Sequence, residues 1–207
     1  MKNGKLMKGL CMAVFITAVT VSAGFAQKPK VVSGNLDFLK GQENVAVKLD
    51  LSEVRFYDEN LSEQQYIDKR VKEIEEKKPG ESADWLTDWN DARTNRFLDH
   101  FIAGAEKHAK TGIRFVKEGE TPYTLIVKTK WIYPGWFGGI RNQHAKVSST
   151  LTFVETANPG NTLLEIEADR VPGDNFFVGT PNHNDRIAQG FTMTGRWLAI
   201  ITNKGLK

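Results

Sequence analysis

Cysteine is almost missing from this 207-residue chain, which has only Cys11. That residue falls inside a secretory signal peptide expected over residues 1–26, so the mature chain is expected to have none. Disulfide stapling, thiol catalysis and a cysteine-built zinc site are thereby excluded, and apolar burial has to hold the fold. A membrane-length apolar run is missing too: Leu10–Val21 is shorter than the roughly 20 residues a spanning helix needs. There is no internal repeat, no low-complexity stretch, no Gly-x-Ser-x-Gly elbow and no phosphate loop with Lys and Ser/Thr. Gly135, Gly138 and Gly139 lack the dinucleotide spacing and do not open a helix, so no cofactor is expected.

Excess charge of either sign is also missing once the signal is removed. The chain has 28 Lys and Arg against 25 Asp and Glu, and three of the lysines lie in the first 26 residues. The remainder is neutral and has no general electrostatic reason to seek nucleic acid or anionic lipid. Lys2, Lys5 and Lys8 form the basic start of the signal. Gly24 and Ala26 are the small residues before a cut at Gln27. Export to the periplasm or the extracellular space is expected, with no integral membrane segment after cleavage. Cys11 opens the apolar run instead of following it, which argues against a lipid-modified cysteine.

Residues 27–42 are polar, are broken by Pro29, Gly34 and Gly41, and read as an extended lead-in. Leu36, Phe38 and Leu39 are able to pin it to the body. Residues 43–207 read as a single α+β domain. Val45, Val47, Leu49 and Leu51 alternate as in a half-buried strand, with Val54 and Phe56 continuing after a break of register. Ser62 and Gln65 have capping-box spacing, and Ile67, Val71 and Ile74 follow at helical intervals in a surface helix ended by Pro79 and Gly80. A second helix runs from near Ser82 through Trp85, Trp89, Phe97, Phe101 and Ala105 toward Gly112.

A short strand at Ile113–Val116 precedes three longer ones. The first alternates through Tyr123, Leu125, Val127, Thr129, Trp131 and Tyr133, and the second through Val147, Ser149, Leu151 and Phe153. A turn at Asn158–Asn161 leads to Leu164, Ile166 and Ala168. Ile187, Phe191, Thr194, Leu198 and Ile201 then lie on one side of a closing helix capped by Asn184 or Asp185. The expected fold is α+β: an antiparallel sheet of about four to five strands covered on one face by helices.

The first strand before helical coverage, the strand Tyr123-Thr124-Leu125-Ile126-Val127, the two strands joined at a short turn and the closing Gly195-Arg196-Trp197-Leu198-Ala199 carry a resemblance. Together they resemble a loose group of bacterial envelope domains: the amino-terminal domain of TolB, lipoprotein activators of penicillin-binding proteins, and related periplasmic families. The Glu- and Lys-rich helix at 62–78 and the lack of a lipobox cysteine depart from the lipoprotein members. The resemblance implies an α+β body that binds other envelope components without performing chemistry, and it implies no functional residue.

The stretch Tyr133–Asn142 interrupts two well-patterned strands and is too long for a tight hairpin. Its proline and glycines indicate a loop, yet Trp136, Phe137 and Ile140 are apolar. They either cap the end of the core or form an aromatic contact patch with Arg141 as its polar anchor. A second loop, residues 173–185, repeats the theme with Phe176 and Phe177. His100, His108, His144 and His183 lack the pairing of a metal site. Trp85, Trp89, Trp131 and Trp197 follow the periodicity of core residues, and Thr194 and Gly195 are expected to allow close packing on the sheet. The expected function is non-enzymatic binding of an envelope protein or glycan. The alternative is a hydrolase acting on envelope polymers with a pocket beside the same loops.

Overall fold

The computed structural model describes residues 28–138, 141–173 and 182–207. The signal segment, Ile140, Phe176 and Phe177 lie outside them. The chain is α+β, with a seven-stranded sheet ordered β1 (Lys30–Gly34), β9 (Asn158–Pro172), β8 (Lys146–Glu155), β5 (Tyr123–Tyr133), β2 (Asn44–Asp50), β4 (Arg114–Val116). The seventh strand, β3 (Arg55–Phe56), pairs with the far end of β5. The strands β6 (Trp136–Gly138) and β7 (Arg141–Gln143) form a separate two-stranded hairpin.

The expected antiparallel sheet of four to five strands is corrected on both counts. Pairings β1–β9, β9–β8 and β8–β5 are antiparallel, whereas β2–β4, β2–β5 and β3–β5 are parallel. The parallel half follows from chain order. After β3 the chain runs through α1 (Glu63–Lys77), α2 (Ser82–Asp91) and α3 (Phe97–His108) before returning as β4 and β5. A strand that re-enters a sheet after a helical crossover runs parallel to the one it left. Residues 30–34 of the presumed lead-in add the edge strand β1, and Leu36 and Leu39 just after it are buried.

The long strands alternate as expected until a row of bulges near one end. Lys130 is the extra residue in β5, opposite Ser148–Ser149, and Asp169–Arg170 bulge in β9, with Arg170 at φ +48°. A one-residue slip exchanges the faces of every residue beyond it. Leu125, Val127 and Thr129 point into the core, and past the bulge Ile132 takes their place. Trp131 is therefore not core. Its indole nitrogen donates to the Tyr57 carbonyl at 2.7 Å, and the Arg170 guanidinium lies 4.8 Å from its ring. The turn between β8 and β9 is Thr156–Ala157, and Asn158 already belongs to the strand.

The helices cover this frame from α3, against β2 and β4, to α4 (His183–Gly205), against β8 and β9. The second helical stretch is continuous, but a π turn at Ala92–Arg96 divides α2 from α3. α3 and α4 cross at backbone contact. A Cβ on Gly104 would lie 2.0 Å from the Thr192 carbonyl oxygen, and one on Gly195 would lie 2.0 Å from that of Phe101. Gly195 thus serves a helix–helix contact, not the expected helix–sheet one. At the other end of the core Phe56 stacks on Tyr66 at 4.2 Å, with Trp89 edge-on to both. Trp89, Phe97 and Phe191 continue the aromatic chain to α4.

Candidate functional site

Four elements converge on one groove. α1 begins with the expected capping box, Ser62 and Gln65 exchanging hydrogen bonds at 3.3 and 2.9 Å. The Phe56–Tyr66 stack fixes its first turns to the sheet. Glu63 accepts from the Trp89 indole at 3.1 Å and pairs with Arg93 at 3.0 Å, which ties α1 to α2.

The start of α4 is held to α2 through Asp88. One Asp88 oxygen accepts from Asn184 at 2.6 Å and from Asn182 at 3.1 Å, and the other pairs with Arg96 at 2.5 Å. Burial pulls the Asp88 carboxyl upward, but these three hydrogen-bonding partners outweigh it and hold it below its ordinary value. Asn182 is the cap of α4, accepting from the Asn184 amide at 2.7 Å. Of the two caps expected, Asn184 is buried and Asp185 instead pairs with Arg96 at 2.9 Å.

The fourth element is the β6–β7 hairpin. Gly135 at its root sits at φ +68°, and a Cβ there would lie 2.2 Å from the Gln143 carbonyl oxygen, so only glycine lets the chain turn back so closely. Arg186 on α4, 5% exposed, donates to the carbonyls of Pro134 and Gly135 at 3.0 and 3.3 Å. The Gln143 side-chain oxygen accepts from Tyr133 at 2.8 Å and from the Trp136 indole at 3.0 Å. Trp136 and Phe137 stay 44% and 38% exposed, and they are the only large aromatic side chains so exposed among the described residues. Of the other residues singled out in the sequence, Arg141 lies on β7 opposite Gly138.

Between the hairpin and α1 lies an open groove of about 750 Å³ lined by Arg70, Ile74, Lys77, Trp85, Phe137 and His183, among others. A second hollow shares Arg70, Phe137 and His183, and is bounded by Tyr57, Tyr133, Trp136 and Arg186. Burial pushes Tyr57 up to about 12 and drives His183 down to about 3, so its imidazole is neutral at ordinary pH. Three carboxylates along the groove already have cation partners. Glu73 pairs with Arg70 at 3.1 Å, Glu81 with Lys78 at 2.9 Å, and Asp88 with Arg96.

The structure therefore brings Trp136 and Phe137 to a groove whose other walls sequence reasoning missed. Periodicity puts Trp85 in the core and makes the helix that carries Arg70 a surface one, His183 lacks the pairing of a metal site, and Arg186 has no signal of its own. The spacing Arg70, Glu73, Ile74, Lys77 was the available signal, since it lays these residues on one side of α1.

No protein-family model matches the chain, and no curated protein matches it. Among solved structures it is similar to the PelC dodecamer from Paraburkholderia phytofirmans at 9% identity and a TM-score of 0.39, covering 84% of this chain and 96% of that one. A single-substitution variant of the same dodecamer gives 10% and 0.32, covering 81% and 95%. Likeness at that level carries no argument about function. Among the described residues no helix is long and apolar enough to cross a membrane.

Proposed function

We propose that this chain is a non-enzymatic binding or accessory protein of the bacterial cell envelope, presenting the β6–β7 hairpin to an envelope protein or glycan. The observation that carries this reading is the exposure of Trp136 and Phe137, 44% and 38%, on a hairpin whose root is anchored by buried Arg186. Neighbouring exposed aromatics on a positioned scaffold are the usual anchors of a contact surface. Of the groove carboxylates, Asp88 is held low by its hydrogen bonds and so is poorly suited to act as a general acid.

The test is capture of defined envelope fractions (protein, glycan and lipid separately) on immobilised protein, followed by chemical identification of what binds. Replacing Trp136 and Phe137 by Ala is expected to abolish capture of one fraction. Equal capture by the variant and the parent would refute the reading.

A further inference from the structure

We propose that the inner end of the groove between α1 and the first turn of α4 takes an oxyanion, a carboxylate or a phosphate group, held by Arg70, Trp85 and His183. This goes beyond the hairpin reading and does not depend on Trp136.

Trp85 is 9% exposed, lines the groove, and its indole N–H has no hydrogen-bond partner among the described residues. The Nε of Arg70 and the Nδ1 of His183, on the same groove, are also buried without partners among the described residues. So is the hydroxyl of Tyr66, a fully buried residue whose ring stands edge-on to Trp85 at 6.0 Å. Buried polar atoms without partners are rare in folded proteins, and here three belong to residues that line one groove.

Their chemistry selects the ligand. An indole N–H and a guanidinium N–H only donate, and a tyrosine hydroxyl and a neutral imidazole can each donate once. A group offering several acceptor oxygens answers the three that line the groove, and an oxyanion does so with a charge-assisted bond to Arg70.

The charges acting on His183 are Arg70, Arg186 and Lys77, all positive. The ion pairs Glu73–Arg70, Glu81–Lys78 and Asp88–Arg96 leave Lys77 and Asp84 as the remaining charges of the groove lining, so it is close to neutral and does not repel an anion. The amino end of the 23-residue α4 adds its partial positive charge at His183. Holding the anion requires the Arg70 side chain, 21% exposed and paired with Glu73, to turn its guanidinium onto it.

The experiment follows the Trp85 indole resonance of the ¹⁵N-labelled protein during titration with sodium phosphate, sodium glucuronate or glucose at matched ionic strength. A saturable shift with phosphate, glucuronate or both, and none with glucose, is expected. Which salt acts identifies the phosphate or the carboxylate as the source. Arg70→Gln should weaken the response at least tenfold, whereas Trp136→Ala should leave it intact even if envelope capture is lost.

The thermal midpoint of the parent protein should also rise with the active anion, and that rise should vanish in Trp85→Phe, which gives a second readout should Arg70→Gln fold poorly. An equal shift with glucose, no saturable shift with any probe, or an unchanged response in both variants would overturn the proposal. The unpartnered atoms would then be served by water alone.

Discussion

The Nε of Arg186 donates to the carbonyl of Pro134 at 3.0 Å, joining the first turn of α4 to the root of the hairpin that carries Trp136 and Phe137. A guanidinium this deeply buried is held by hydrogen bonds and cannot be replaced by shape alone. Burial itself lowers its pKa, while the neighbouring tyrosines act in the opposite sense. Arg186→Leu leaves two backbone carbonyls without this donor and is expected to cost roughly 2–3 kcal/mol. Urea unfolding should show the midpoint falling with an unchanged slope, and Trp136 emission should shift as the hairpin loses its anchor.

The α3–α4 crossing makes a second expectation. Gly104→Ala and Gly195→Ala each place a methyl group against the partner helix backbone and force the helices apart. Each should cost on the order of 1–3 kcal/mol. The double variant should lose less than the sum, because one separation relieves both clashes. Thermal or urea midpoints of the three variants decide it, and strict additivity would show that the two contacts are independent.

His183 predicts the shape of the acid limb. Its folded pKa is about 3, below the ordinary 6.5, chiefly because of burial. Between these values the unfolded chain holds a proton that the folded chain refuses. Stability is therefore full above about pH 6.5 and falls as pH drops toward 3, by an amount on the order of a few kcal/mol. His100, also lowered chiefly by burial, adds to the same limb. His183→Gln should flatten the limb measurably in urea unfolding at stepped pH. An unaltered slope would place His183 in water, not in the groove wall.

Much of the frame was legible in the residues, and the rest was lost for definable reasons. The capping box at Ser62, the surface helix after it, and the alternation in β8 and in β5 and β9 up to their bulges follow from local chemistry and stand where the pattern puts them. Strand pairing is not local. The parallel half of the sheet follows from the strand–helix–strand order, which alternation within each strand does not report. The bulge at Lys130 defeated the reading of Trp131, because periodicity cannot show where a register slips. Asn182 is hard to recognise as the α4 cap because Asn184 and Asp185 stand beside it, and only the contacts to Asp88 and Arg96 separate the three roles. Trp136 and Phe137 were recognisable as off-pattern aromatics. Arg70, Trp85 and His183 were not, since their convergence depends on α1, α2 and α4 meeting at one end of the sheet.

The most direct test of the account combines folding and capture in one double variant, Trp136→Ala with Phe137→Ala. Exposed side chains outside the core contribute little to stability, so its unfolding free energy in urea should stay within about 0.5–1 kcal/mol of the parent's. Its capture of the envelope component should be lost at equal folded fraction. A large drop in the midpoint with capture retained would contradict the account and make these two rings a cap on the core.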